Sequence, residues 1–228
     1  MSRPDKSKKL LIVGDSAFAE VACEYFDVMS AYAVAAFAVE RQYIKRAALM
    51  GRPIVAWEDA EQSHPPSEYE VYVAVVYSQL NRLRTRLMNG AKTKGYRLAS
   101  FVSPHAFLAP SATVGEHCFI FENNVVQSFV HIGDNVVLWS GNHIGHHSKI
   151  GDNVFVSSHV VVSGFCNVGE NSFLGVNASL GNNVSIGKDC WLGAGVVVSK
   201  DVAPGSLLQA PAPEIAKVSA PRFFKVRE

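Results

Sequence analysis

The stretch VVLWSGNHIGHHSKIGDNVFVSSHVVVSGFCNVG, residues 136–169, repeats a pattern every six residues. Leu138, Ile144, Ile150, Val156, Val162 and Val168 mark one phase of it. The same phase runs without insertion from Val102 to Val198, through Leu108, Val114, Ile120, Val126, Ile132, Leu174, Leu180, Ile186 and Leu192. A run of seventeen such aliphatic residues would arise by chance on the order of once in ten billion trials, so the period is structural.

The residue two before each aliphatic one is small, from Ser100 and Ala106 to Cys190 and Val196. Residues two apart share one face of a strand, so both registers point inward. Glycine often follows the aliphatic residue, as at Gly145 and Gly151, where a bending chain gains from lacking a Cβ. Six residues therefore read as one short strand and one corner. Such units bury nothing alone, and three per turn stack into a triangular prism of parallel strands, with about eighteen residues per coil. A TIM barrel or doubly wound sheet needs helical stretches between strands, and none fits this period.

The rest of the chain follows another rule. LLIVG (10–14), AVAAFAV (33–39) and VYVAVVY (71–77) read as buried strands, IVAW (54–57) as a short apolar run, and HPP (64–66) as a loop. Helices are expected over 18–29 and 78–94, the second with Leu80, Leu83, Leu87 and Ala91 inward and Arg82, Arg84, Arg86 and Lys92 elsewhere. Strand and helix in alternation predict a small Rossmann-like parallel α/β unit. The expected division is 1–98 for that unit, 99–200 for the prism, and 201–228 for a proline-bearing tail that ends the coils and folds back along the column.

The 228 residues carry a net charge near +1 and 48% hydrophobic residues. That balance leaves no basic stripe for nucleic acid. No stretch is long enough to cross a bilayer and the start MSRPDKSKK precedes only LLIV, so no membrane association and a cytoplasmic location are expected. Cys118, Cys166 and Cys190 fall in the inward small register and read as packing, Cys23 falls in a helix, and no CxxC spacing occurs. Asn124 and Asn142, eighteen apart and inward, predict a stacked amide ladder.

SGNHIGHHS (140–148) is the densest polar feature. His146 stands two after Ile144 and so faces out, with Ser128 on the preceding coil and Gly164 on the following one. An imidazole beside a missing side chain has room for the group it would deprotonate, which suits a general base. His143, His147 and Asn142 are expected to support it. His105, His117 and His159 share the register of His147 and are expected along corners or interfaces.

With these residues in view, the hexapeptide repeat resembles that of the left-handed β-helix acyltransferases. The whole layout, α/β unit then prism, resembles the sugar acyltransferases of the PglD and NeuD type. The resemblance implies left-handed coils, a homotrimer, acetyl-CoA bound as cosubstrate in grooves between prisms, and no metal. It implies direct transfer to a sugar, most favourably the amine of a nucleotide-linked amino sugar for surface polysaccharide, with a hydroxyl as the alternative acceptor. The histidine of IGHHSKIG (144–151) that matches the family's base is His146, and the pantetheine arm would pass Gly164, Gly193 and Ala194.

Two departures stand out. The family has an acidic residue after the base, where this chain has His147, and a glycine-rich nucleotide loop, where this chain has GDSAFAE (14–20). Asp15 should repel a diphosphate there. Either the nucleotide is held differently, through residues such as Glu40, Arg41, Tyr77 or Asn81 near strand ends, or the acceptor is not a nucleotide sugar; these four with Gly14, Asp15 and Ser16 are the expected acceptor-binding residues. Two readings from other classes compete: a zinc lyase like the γ-type carbonic anhydrases, whose ligand pair five apart is missing here, and a non-catalytic binding scaffold.

Overall fold

A computed structural model describes residues 4–226. The N-terminal unit comprises β1 (Lys8–Val13), α1 (Ala17–Met29), β2 (Tyr32–Val39), β3 (Ala48–Leu49), β4 (Arg52–Ala56), α2 (Ala60–Ser63), β5 (Tyr69–Val73), α3 (Arg82–Thr93) and β6 (Arg97–Leu98). The sheet order is β3-β4-β2-β1-β5-β6, parallel except for the β3–β4 pair. The apolar runs of β1, β2 and β5 are buried on both sides because helices cover both faces of a parallel sheet. The third predicted strand ends at Val73, and α3 starts at Arg82 rather than at residue 78. Between them Gln79, Leu80 and Asn81 adopt positive φ in succession, which a helix excludes.

From β7 (Phe101–Val102) to β23 (Val197–Val198) a two-residue strand recurs every six residues. The strands stack, eighteen residues apart, into three parallel sheets that form the faces of a left-handed β-helix. Ile144, Ile150, Val156 and their equivalents from Ile120 to Val198 fill the axis with Cys118, Cys166 and Cys190, all buried, whereas Leu108 and Val114 are half-buried and Val102, at the start of the column, is exposed. Burial raises the Cys118 thiol to about 12, and it also raises that of Cys166.

The repeating glycine does not make the bend. Gly145 has no positive φ, and a Cβ there would stand 2.6 Å from the Ser163 carbonyl carbon on the next coil, so the residue permits close stacking. The bend falls two positions later, at residues with φ near +60°, chiefly asparagine and histidine, types that tolerate the left-handed region best after glycine.

The coils also continue beyond residue 200. Val202 bridges Ile186, and β24 (Leu207–Leu208) pairs with β22 (Trp191–Leu192), because Pro204 sits at a corner where no ladder donor is needed. From Gln209 to Val226 every residue is exposed, so this segment does not fold back on its own column as expected.

The α/β unit sits on the first face. Outward residues there are Phe101, Phe119, Val137, Phe155, Phe173 and Trp191, eighteen apart. Phe18, Tyr25 and Phe26 of α1 and Tyr72 of β5 pack into this stripe, with ring centroids 5.7 Å apart for Phe18–Phe119 and 5.5 Å for Phe26–Phe101. The corner between third and first faces docks on α3. Its left-handed residues form the amide ladder that was expected at Asn124 and Asn142: Asn135, Asn153, Asn171 and Asp189 bond successively at 2.8, 3.1 and 3.1 Å. Asn124 and Asn142 instead donate to main-chain carbonyls such as Trp139 O, because their inward side chains meet the coil walls before each other.

Candidate active site

His146 occupies the corner between second and third faces, after β14 (His143–Ile144). Its backbone N–H donates to Gln127 Oε1 at 2.9 Å. A Cβ on Gly164 would lie 2.8 Å from Cε1 and 2.9 Å from Nε2, so the ring needs that glycine. Nδ1 of His146 lies 3.1 Å from Nδ1 of His147, and the rings are nearly perpendicular. Phe165 meets His146 edge-on at 5.0 Å. The Gly164 N–H is engaged by Asn182 Oδ1 at 3.0 Å.

His147 and Gly164 thus gather at His146; the other expected partners do not. His143 lies outward on the second face in register with Val125 and Val161. Asn142 is buried and accepts from Val160 N–H, which makes it a bracket of the coil wall. Gly193 and Ala194 follow the first face, on a different corner from Gly164, and the backbone at Gly193 approaches Leu208 O. His117 shares the register of His147 but is buried, accepting from Val73 N–H at Nε2, and burial pushes its pKa down to about 3.

A cavity of about 430 Å³ opens at the C-terminal ends of β1 and β2. Gly14, Asp15, Ser16, Glu40, Tyr43, Ser78, Gln79 and Arg86 line it. Gly14 is required there, since φ is +120° and a Cβ would stand 2.9 Å from Ala74 O. Arg86 holds Glu40 through two bonds of 2.9 Å, which keep that carboxyl below its ordinary range. Asp15 is answered by Arg46 at 3.5 Å, so its charge does not stand alone against an anion.

Three expected acceptor residues lie outside this cavity. Arg41 pairs with Asp59 on the surface because Glu58 and Asp59 fold beneath it. Tyr77 packs on Phe155, Phe173 and Trp191 of the prism. Asn81 is buried and donates to Asn171 O and Ser172 O, tying the two units together. Tyr43, Ser78, Gln79 and Arg86 escaped the sequence reading; Arg86 was legible only as one of several arginines on a helix. Among the described residues no group of three histidine, cysteine or acidic side chains converges to hold a metal ion, and no helix is long and apolar enough to cross a membrane.

Comparison with known proteins agrees with this layout. The bacterial transferase hexapeptide (six repeats) matches residues 129–164, and the hexapeptide repeat of succinyl-transferase matches 167–200. No curated protein matches the chain. Among solved structures, the acetyltransferase domain of PglB from Neisseria gonorrhoeae FA1090 is 24% identical with a TM-score of 0.79, over 88% of this chain and 96% of that one. It is also known in complex with acetyl coenzyme A. PerB from Caulobacter crescentus, in complex with CoA and GDP-perosamine, is 27% identical with a TM-score of 0.77, over 88% of this chain and 93% of that one.

In class, then, the chain is a hexapeptide-repeat acyltransferase built on a left-handed parallel β-helix. In layout it is similar along most of its length to these sugar acetyltransferases, α/β unit included.

Proposed function

We propose that the protein transfers acetyl from acetyl-CoA to the amine of a nucleotide-linked amino sugar destined for surface polysaccharide, with His146 as general base. The observation that carries this reading is the seat of His146: Nε2 lies over a glycine, and Nδ1 has a partner of its own. The acceptor nitrogen attacks the thioester carbonyl, its proton passes to His146 Nε2, and the carbon–sulfur bond breaks to a thiolate that takes up that proton, leaving as the CoA thiol and restoring the neutral imidazole. No acyl-enzyme is required, in keeping with four buried thiols, of which burial raises the pKa at Cys118 and Cys166.

The cavity at Gly14 is the proposed acceptor site, and the α/β unit (1–98) the acceptor-recognition domain. Within one chain it lies with the first face, whereas His146 lies on the opposite corner. A homotrimer resolves this separation by setting the cavity of one copy against His146 of another. The second face supports it, since Phe107, Val125, Val161 and Val197 are exposed there at 58, 36, 42 and 77%. The PglB domain and PerB are known with acetyl coenzyme A or CoA, and PerB with a GDP-linked amino sugar, which favours the same ligand classes for this chain in the cytoplasm.

Thiol release from acetyl-CoA over UDP-, dTDP-, GDP- and CMP-linked amino sugars tests the reading. His146→Ala should lower kcat by about 10² or more. Turnover near the parent's would remove His146 from the mechanism.

A further inference from the structure

Around the prism the left-handed bend is made by asparagine, histidine, glycine and aspartate, with two exceptions, Phe129 and Phe165. A bulky residue at φ near +60° is a genuine outlier, and backbone strain of this kind gathers at functional positions. These two phenylalanines stand one coil below and one coil above His147. Their rings enclose it: Phe129 at 4.8 Å and Phe165 stacked at 4.8 Å with planes 17° apart. The strain thus falls on the two coils that fix one imidazole plane, and that imidazole carries the nitrogen facing His146 Nδ1.

We propose that His147 is a positioning residue for the base, and that the two histidines work as a dyad with one defined proton arrangement. The proposal rests on His146 being the base. Only one hydrogen fits between two Nδ1 atoms 3.1 Å apart. To accept a proton at Nε2, His146 must carry its own hydrogen on Nδ1, so His147 Nδ1 is the acceptor and His147 is neutral with its hydrogen on Nε2. Protonating His147 removes that acceptor and turns a donor toward His146. His146 then presents a bare Nδ1 to its neighbour and keeps its hydrogen on Nε2, where it cannot take one from the substrate. Activity therefore needs both rings unprotonated.

Among the described residues the corner around the dyad offers no carboxylate to take this role. His146 and His147 contact Gln127, Phe129, Gly164 and Phe165, and the titratable side chains on the flanking strands are His143 on the second face and His131 and Lys149 on the third. Among the described residues none of these is in an ion pair, and His131 bonds Thr113.

The pH profile of kcat in the parent, His147→Asn and His147→Gly tests the dyad; both replacements tolerate the left-handed backbone. The parent should lose log kcat on the acid side with a limiting slope of about two, one proton for each ring of the coupled pair. A carboxamide does not titrate in this range, so in His147→Asn its oxygen should keep turnover at pH 8 within a few-fold while the slope falls to about one. His147→Gly should lose about 10- to 100-fold in kcat with little change in KM for acetyl-CoA, at a melting temperature that thermal unfolding verifies. Histidine ¹⁵N spectra at pH 8 should show His146 protonated on Nδ1 and His147 on Nε2. The opposite tautomers, or a parent-like kcat and acid limb in His147→Gly, overturn the dyad. If His146→Ala is inactive in that second case, the base reading stands without it; if His146→Ala is active, both fall.

Discussion

His117 and His147 hold the same left-handed place in the coil, with φ of 57° and 58°, on two different corners of one prism. At the first, the α/β unit covers the corner. His117 stacks on Tyr72 at 4.7 Å, bonds Asn135 Oδ1 and Val73 N–H, and begins a chain of amides that ends at Asp189. Arg84 lies fully buried against that chain, bonding Asn81, Asn135 and Asn153, and none of these acceptors is a carboxylate. At the second, no other described part of the chain covers the corner, and His147 faces a second imidazole between two strained phenylalanines. One backbone geometry thus serves a joint where the side chains of His117, Arg84 and Asn135 are buried and bonded, the Tyr72 hydroxyl beside them being buried with no partner among the described residues, and an exposed corner where the two imidazoles stay open.

The comparison breaks most sharply at Arg84. Arg84→Ala leaves several buried acceptors unpaired and should cost about 3 kcal/mol or more, read by urea unfolding, since each orphaned group costs about 1 to 3 kcal/mol. A loss below about 1 kcal/mol would mean the joint is not what holds the units together.

Gly164→Ala acts at the other corner. The new Cβ would lie within 3 Å of the His146 ring, so kcat should fall by about 10- to 100-fold while stability changes little. Equal kcat in this variant would show that the observed seat of His146 is not the working one.

His117 supplies a smaller, pH-dependent contrast. Burial holds its folded-state pKa near 3, below the ordinary 6.5, so the unfolded chain binds a proton in that window and the folded chain does not. Its contribution is fully present above about pH 6.5 and declines as pH falls toward 3, at up to about 1.4 kcal/mol per pH unit. His117→Asn should flatten that acid slope in thermal melts between pH 4 and 6; an unchanged slope would place the acid sensitivity in other groups. The smallest effect is expected at Asn153→Gly, which keeps the left-handed backbone and removes two ladder bonds, for about 1 to 2 kcal/mol by denaturant melt.

The prism was legible in one sequence because its signal is local and repeated: an inward aliphatic residue every six places leaves no other way to bury so many side chains. His146 beside Gly164 followed from the same register. What the register concealed is which corner each outward residue faces. Phe101, Phe119, Val137, Phe155, Phe173 and Trp191 form an apolar stripe at eighteen-residue spacing, a readable sign of where the α/β unit docks. Arg84, grouped with Arg82 and Arg86 as polar on a helix, is buried only because that docking covers it.

The sequence by itself therefore determined the repeat, the inward core and the outward histidine, since each depends on neighbours six or eighteen residues away. Only the tertiary structure decided that Asn81 and Tyr77 belong to the joint, that Glu40 and Asp15 meet arginines, and that one histidine is sealed while its counterpart stays open. Burial and charge pairing depend on what covers a surface, and that is settled by the packing of two units whose hydrogen bonds span up to 107 residues of chain.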